Sequence, residues 1–590
     1  MSSYMPPTDD VGFLLKNVFG FDAQIAALPG HEELTADFAV AVLEEAGRFC
    51  REVLEPLNRP GDEEGARIVD GAVVTPKGVK EAYRAFVDAG WPGLSGDVAF
   101  GGQGLPRVVQ ILLDEMLSAT NMSFGLFPGL TRGAVEAVAH HASDELKAIW
   151  LPKMVAGEWT GAMALTEASA GTDLGLLSTR AEPVGDGSYR ITGTKIFISS
   201  GDHDFGGNIV HLVLARLPDA PKGVKGISLF LAPKFLLNDD GSLGERNAMS
   251  VGSLEHKMGI HAQPTCVMNY DGAIGWLVGE PGRGLNAMFT MMNAERLFVG
   301  IQGLGIAEAA TQKAVAYARE RLQGRSLDGA RGPVPIIEHA DVRRMLMTGR
   351  ALADGCRALA IWTALQMDIA AGHPDAATRA EADGMVALLT PVIKAAFTDF
   401  GFDVAVLSQQ VFGGHGYIRE WGMEQFVRDA RITQIYEGTN GVQAMDLAGR
   451  KLSLEGGALP KRFFALVRRD VEAAAETHAA PGVKDVATEV LAALARLEST
   501  TAVLQAASQS DAAAVGAAAT DYLKLFALTA IGWMWVRMAA AASAGDRLLE
   551  RRKLVVARFY CERLLPQTQG LAAAIASGSN STMALPDDLF

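Results

Sequence analysis

A single glutamate set among aromatic residues and glycines is the most chemically suggestive feature of this chain. Glu437 lies in Ile435-Tyr436-Glu437-Gly438-Thr439-Asn440-Gly441, downstream of Gln410-Val411-Phe412-Gly413-Gly414-His415-Gly416-Tyr417. Apolar neighbours disfavour the charged carboxylate and push its pKa toward the range a general base needs. The glycines leave room for a phosphate-bearing cofactor to lie against backbone N–H groups. Taken alone, E-G-T-N reads equally as a helix end followed by a turn. A second cluster, Leu165-Thr166-Glu167-Ala168-Ser169-Ala170-Gly171-Thr172-Asp173, is dense in hydroxyls and small side chains. Such a loop suits hydrogen bonding to the edge of a polar heterocycle. Further on, Lys195-Ile196-Phe197-Ile198-Ser199-Ser200-Gly201 sets an aromatic and a hydroxyl two apart, which in a strand puts both on one face. An aromatic plane plus a donor is what a flat ring cofactor requires, although a β-hairpin with a polar loop would explain either piece alone.

Together, in this order, the clusters resemble the acyl-CoA dehydrogenase family over residues 36–452. Thr166–Asp173 matches its first signature. Gln410–Tyr417, Asp429-Ala430-Arg431 and Tyr436-Glu437-Gly438-Thr439 match its second. The resemblance implies that the α-proton of an acyl-CoA thioester is removed while the β-hydrogen leaves as hydride to FAD, giving a trans-2-enoyl-CoA. Glu437 matches the family's base. Branched-chain members place the base just before the arginine that matches Arg296, so Glu295 is the alternative. On residues alone Glu295 also reads as an ion pair on a helix face. The substrate positions implied are Thr172, Asn293, Arg296, Glu437 and Gly438.

For FAD, the resemblance points to Leu165, Thr166, Gly171 and Thr172 at the ring edge or ribityl chain, with Phe197 and Ser199 at the ring. Gln410, Gly413 and Gly414 match the element near the adenine and pyrophosphate, and Thr439 and Gly441 match positions after the base. Arg321 and Gln323 resemble the element that reaches a neighbouring subunit's FAD. The sequence departs from the family pattern at Phe197 (usually Trp), Asn293 (often Asp) and Gly441 (often Gln). It also lacks the phenylalanine that follows the element containing Arg321 and Gln323. No G-x-G-x-x-G follows a strand, so FAD is not expected in a Rossmann unit.

These groups need a scaffold, and 590 residues are too many for one compact core. Hydrophobic content of 49% with 21% charged residues indicates a well-buried globular protein. Residues 1–35 read as an N-terminal extension, and 36–157 as a helical domain in which Phe38, Val42, Phe49 and Val53 recur at helical intervals. In 158–282 short β-rich runs at 189–198, 208–215 and 226–232 are separated by Gly-, Asp- and Pro-rich turns. Long helical patterns return over 283–453. Leu454–Pro460 reads as a linker, 461–565 as a further bundle of three or four helices, and Ser577–Ser581 as a flexible connection. The expected architecture is mostly α with an inserted, β-barrel-like domain, in the acyl-CoA dehydrogenase order, plus an additional C-terminal helical domain (454–590).

Net charge of −15 argues against a nucleic-acid surface. A DNA-binding alkylation-response flavoprotein remains an alternative resting on Arg462, Arg468, Arg469 and Arg551-Arg552-Lys553, and an acyl-CoA oxidase is another. Cys50, Cys266, Cys356 and Cys561 have no metal or redox spacing. The histidines His140-His141, His256, His261 and His415 read as structural, so no metal is expected. The N-terminal residues from Met1 lack the pattern of a secretory signal. Leu525–Val536 is too short to span a bilayer; it reads as a buried helix, with a membrane-surface contact as the alternative. The expected setting is bacterial cytoplasm, with at most peripheral contact with the inner membrane. The C-terminal extension resembles a bacterial subgroup of long- and medium-chain fatty acyl-CoA and 3-(methylthio)propanoyl-CoA dehydrogenases, among which straight-chain fatty acyl-CoA is the favoured substrate. The expected partner is an electron-transfer flavoprotein. The apolar faces of 461–565, covering the parent helical domain, point to a homodimer.

Overall fold

The computed structural model describes residues 4–477 and 481–590, so the expectation for Met1–Ser3 lies outside the described residues. The chain forms two compact units: residues 49–106 with 120–298, and residues 1–48 with 107–119 and 299–590.

In the first unit the β-rich sequence forms a seven-stranded sheet that closes on itself. Thr265–Val278 pairs antiparallel with Ser188–Ser199 along most of its length and with Ile227–Pro233 at its end. Ile227–Pro233 in turn pairs with Ile209–Arg216, which carries the parallel strand Thr160–Ala164. Ile209–Arg216 and Ile227–Pro233 are buried along nearly their whole length, which is why they read as continuous apolar runs rather than alternating ones. Helices Val79–Asp88 and Asp144–Val155 and the second half of Arg107–His141 complete this unit. A small hairpin, Arg67–Val69 with Ala72–Val74, adds strands that the helical reading of 36–157 did not include.

The second unit is built on long helices: the end of Gly284–Glu320, then Ala340–Gly372 and Ala376–Val411. Gly303 and Gly401 mark where two of them cross. A Cβ on Gly401 would stand 2.5 Å from the Gly303 carbonyl oxygen, so the backbones approach more closely than side chains allow. Among the described residues the C-terminal sequence forms four main helices, Ala458–Thr477, Pro481–Ala507, Ala514–Ala542 and Leu548–Arg563, followed by the short Gln567–Ala576 and Asn580–Met583. Leu523, Phe526, Ile531, Trp533 and Trp535 are all buried. Trp533 meets Trp362 edge-on with centroids 5.0 Å apart, and Trp535 Nε1 donates to the Ala351 carbonyl at 3.1 Å. The apolar stripe of Ala514–Ala542 therefore covers Ala340–Gly372. Among the described residues two helices, this one and Ala376–Val411, are long and apolar enough to cross a bilayer, and both are mostly buried in protein.

Two expectations need correction, at Ala36–Phe49 and at Ser577–Ser581. In Ala36–Phe49 the buried stripe is Ala36, Ala39, Leu43, Ala46 and Gly47, whereas Phe38 is exposed and Val42 and Phe49 are half-buried. Small residues face inward because the packing is close: a Cβ on Gly47 would lie 2.3 Å from the Pro6 ring. Leu454–Pro460 joins the two helical regions by a tight turn, with Glu455, Gly456 and Gly457 all at positive φ, and its last three residues already belong to the next helix, which starts at Ala458. Ser577–Ser581 is anchored, since the Ser579 hydroxyl donates to Asp511 and Ser579 is buried.

Candidate active site

Glu437 occupies the turn between helices Met423–Thr433 and Asn440–Met445. Its φ is +54° and that of Gly438 is +80°, so a non-glycine residue is held in the left-handed region at a cost of about 1–3 kcal/mol. Asn440 supplies the restraint. Its amide donates to the Ala395 carbonyl (3.1 Å), Thr398 Oγ1 (2.9 Å) and Asp399 Oδ1 (2.7 Å), and its oxygen accepts from the buried Lys394 Nζ at 2.9 Å. Asn440 N also donates to Gln434 O, and Gln434 donates to Asp399. On the other flank Tyr436 OH donates to the buried Gln302. Gln443 donates to the Gly438 carbonyl at 3.2 Å. A carboxylate half-buried on a turn pinned this way is aimed by its surroundings.

Close by in sequence, Gln410, Gly413 and Gly414 sit at the exposed end of Ala376–Val411. Gly413 takes φ +58°, ending the helix. Tyr317 stacks on Phe412 with centroids 4.0 Å apart, and His415 stacks on Trp421 at 4.3 Å and shares a hydrogen bond with Tyr317 OH. His415 is thus a structural element of this turn. Arg321 and Gln323 lie on an exposed extended segment where Leu322 bridges to Pro335.

In the other unit, Leu165, Thr166, Gly171 and Thr172 belong to the loop leaving strand Thr160–Ala164. Leu165 is buried, Thr166 half-buried, and Gly171 and Thr172 exposed. Phe197 is exposed at 59% with φ +61°. It sits in a β-bulge: Ile198 pairs with Cys266 and Lys195 with Met268, so two residues oppose one. Phe197 is exposed and Ser199 half-buried, and the bulge at Phe197 interrupts the regular alternation expected from their spacing. Glu167, in the middle of the first signature, is buried and paired with Lys195 at 2.9 Å. Burial raises the Glu167 pKa, but Lys195 and the hydroxyls of Thr179 and Ser178 outweigh it and hold the carboxyl at about 2. Burial lowers Lys195 to about 8, with Glu167 offsetting part of that loss.

Asn293, Glu295 and Arg296 share helix Gly284–Glu320. Arg296 donates to Asn293 Oδ1 at 3.3 Å and lies over the Phe289 ring. Glu295 is buried against the neighbouring helix, where a Cβ on Gly133 would stand 2.6 Å from its Oε1. It is therefore packed into its unit rather than displayed on a helix face. His261 is held by Asp62 and by the Lys257 carbonyl. Among the described residues no group of three or more His, Cys, Asp or Glu could hold a metal ion.

Known proteins match the chain from end to end. Family models match in order: acyl-CoA dehydrogenase N-terminal domain (38–158), middle domain (162–273), C-terminal domain (282–452), and acetyl-CoA dehydrogenase C-terminal like (463–586). A 3-methylmercaptopropionyl-CoA dehydrogenase of Ruegeria pomeroyi is 44% identical over 590 residues, spanning 98% of this chain and 99% of that protein. The chain belongs to the acyl-CoA dehydrogenase family. It is also 32% identical to a broad-specificity linear acyl-CoA dehydrogenase, FadE5, of Mycobacterium tuberculosis, over 100% of both chains. Its fold is that of Caenorhabditis elegans ACDH-11 solved with C11-CoA (TM-score 0.78, 22% identity, 96% and 93% of the two chains covered). The protein is an oxidoreductase, its substrate class is acyl-CoA, and its cofactor is FAD.

The residues present fit that cofactor. A Cβ on Gly171, Gly414 or Gly441 would meet nothing within 4 Å, and none of the three takes a positive φ. Neither packing nor backbone conformation within the chain demands glycine there, and the space beside each is open to the close approach of a ligand. The sequence reading missed the residues behind the site: Asn440, Lys394 and Asp399 beneath Glu437, and Lys195 with Glu167 beneath the loop. One signal was legible, a lysine in the otherwise apolar run Val392-Ile393-Lys394-Ala395-Ala396-Phe397.

Proposed function

We propose that Glu437 is the base that removes the α-proton of a short linear acyl-CoA, with 3-(methylthio)propanoyl-CoA the favoured substrate. The restrained turn at Glu437, held by Asn440 and Tyr436, supports this role most strongly. Glu295 supports the substrate-side helix, because its carboxylate packs against Gly133. Leu165, Thr166, Gly171, Thr172, Phe197 and Ser199 would hold the ring and ribityl chain of FAD, which accepts the β-hydrogen as hydride. Gln410, Gly413, Gly414, Thr439 and Gly441 would hold the nucleotide end. Thr172, Asn293, Arg296 and Gly438 would contact the substrate.

The substrate choice follows the near full-length likeness to the Ruegeria enzyme. That acyl group is pentanoyl with sulfur in place of one methylene, so a pocket shaped for one admits the other, and a methylene-sized difference is worth about 1–3 kcal/mol. A panel of straight-chain acyl-CoAs plus the methylthio compound, assayed with an electron-accepting dye, should give the highest kcat/KM for the methylthio compound or its pentanoyl isostere. A maximum at long chains would favour the straight-chain fatty acyl-CoA reading that the linear-chain relative supports.

An electron-transfer flavoprotein as acceptor and a cytoplasmic setting complete the proposal. The basic residues behind the DNA-binding alternative are engaged within the chain. Arg462 pairs with Glu455 and Glu381, Arg468 with Glu498 and Arg551 with Asp546, while Lys553 is buried with Asp10 and Asp354. The C-terminal helices cover Ala340–Gly372, a face then closed to a further pair of subunits. A homodimer is therefore expected by light scattering at several concentrations. A stable tetramer would contradict the covering role, and a fully active monomer would contradict an FAD site completed by the neighbour's Arg321.

A further inference from the structure

We infer that Lys195 and Glu167 form a positioning pair for the flavin, fixing the loop 165–179 and the Phe197 bulge to one another. The inference rests on the reading above that both segments contact FAD. Lys195 is fully buried and Glu167 is 5% exposed, and their charged groups meet at 2.9 Å. One carboxylate gathers both ends of the loop. Glu167, near its start, accepts from Ser178 N and Oγ, both at 2.7 Å, and from Thr179 N (3.0 Å) and Oγ1 (2.6 Å) at its exit. Within the loop, Glu167 and Ala170 exchange two backbone hydrogen bonds of 3.0 Å, turning the chain just before Gly171 and Thr172.

Lys195 ties this assembly to the strand. Its ammonium also donates to the Leu165 carbonyl at 3.0 Å, and the next residue, Ile196, donates its N–H to the Thr166 carbonyl at 2.9 Å. Two residues after Lys195 comes Phe197, whose left-handed backbone must be imposed by its surroundings. The loop and the bulge therefore share one buried charge pair, in which neither residue is among those assigned to the flavin. A pair of this kind adds little net stability over a neutral filling of the same shape, since desolvation offsets much of the attraction. Its distinctive contribution is geometric: five donors converging on one carboxylate admit one arrangement of the loop.

The test compares wild type, Glu167→Gln and the double variant Lys195→Met/Glu167→Gln as full-length chains. Each is stripped of flavin and titrated with FAD, following flavin fluorescence and the shape of the visible absorption band, with apoprotein melting by circular dichroism alongside. Expected are folded apoproteins, an FAD Kd weakened about tenfold or more in both variants, and loss of the resolved shoulders of the bound-flavin band. Folded variants with wild-type Kd and band shape would overturn the inference. So would apoproteins that fail to fold, because the pair would then be a plain element of stability. A wild-type protein that took up no FAD would remove the flavin-contact reading itself, an outcome distinct from either of these.

Discussion

Glu437→Gln should keep its fold and its FAD yet lose dehydrogenation by about three to four orders of magnitude. The amide has the shape of the carboxylate, so the turn held by Asn440, Tyr436 and Gln443 has no reason to change. What it loses is a lone pair basic enough to take the α-proton at neutral pH. The proton has no other destination of comparable basicity on this turn, whose other side chains are Gln434, Ile435, Tyr436 and Thr439. The direct measurement is bleaching of the flavin by substrate in a single turnover, which reads the chemical step without an acceptor. Glu295→Gln should slow the same step far less, because the Glu295 carboxylate packs against Gly133 within its own unit. If Glu295→Gln is the dead variant and Glu437→Gln bleaches normally, the two assignments exchange.

The parts of this molecule legible in its sequence are those written in short-range pattern. The change from helical periodicity to β-rich runs between Gly-Asp and Pro-Asp turns located strands close to Ser188–Ser199, Ile209–Arg216 and Ile227–Pro233. The apolar run at Leu525–Val536 declared a buried helix, which it is. Glu437 stood out because glycine and aromatics surround it within a few residues. Features made by distant partners left no local trace. The Phe197 bulge depends on register with Cys266 and Met268 across the sheet, and period-two reasoning assumes the register never slips. Lys195 meets Glu167 across 28 positions, and neither residue type alone says that it is buried. The inward stripe of Ala36–Phe49 leaves little trace in the sequence for a related reason. Large apolar residues at helical spacing predict a buried face, whereas this closely packed helix turns its alanines and Gly47 inward.

The longest-range feature of all carries the largest expected effect on stability: Arg357→Met should destabilise the fold by about 3–5 kcal/mol at neutral pH. Arg357 is fully buried on helix Ala340–Gly372. Its guanidinium bonds Glu115 through Nε (3.0 Å) and Nη2 (2.6 Å), Glu308 through Nη2 (2.7 Å) and Asp10 through Nη1 (2.8 Å). Lys553 joins the same cluster through Asp10 and Asp354, tying the N-terminal extension and the C-terminal helices to the helices between them. The two glutamates answer differently to burial. Burial raises both, but Glu308 faces Arg350 as well as Arg357 and is held at about 2, whereas Glu115 has Arg357 alone and ends above its ordinary value of 4.5. With Arg357 gone, Glu115 should rise further and take a proton in the native state that the unfolded chain does not bind. Stability of the variant then grows as pH falls toward 4.5. In wild type the Glu308 contribution is complete above 4.5 and is lost as pH falls toward 2. Thermal or urea unfolding of the two proteins should show a gap that is widest at neutral pH and narrower near about pH 5. An Arg357→Met protein as stable as wild type at neutral pH, or a gap independent of pH, would mean that Glu115, Glu308 and Asp10 find other partners once the guanidinium is removed.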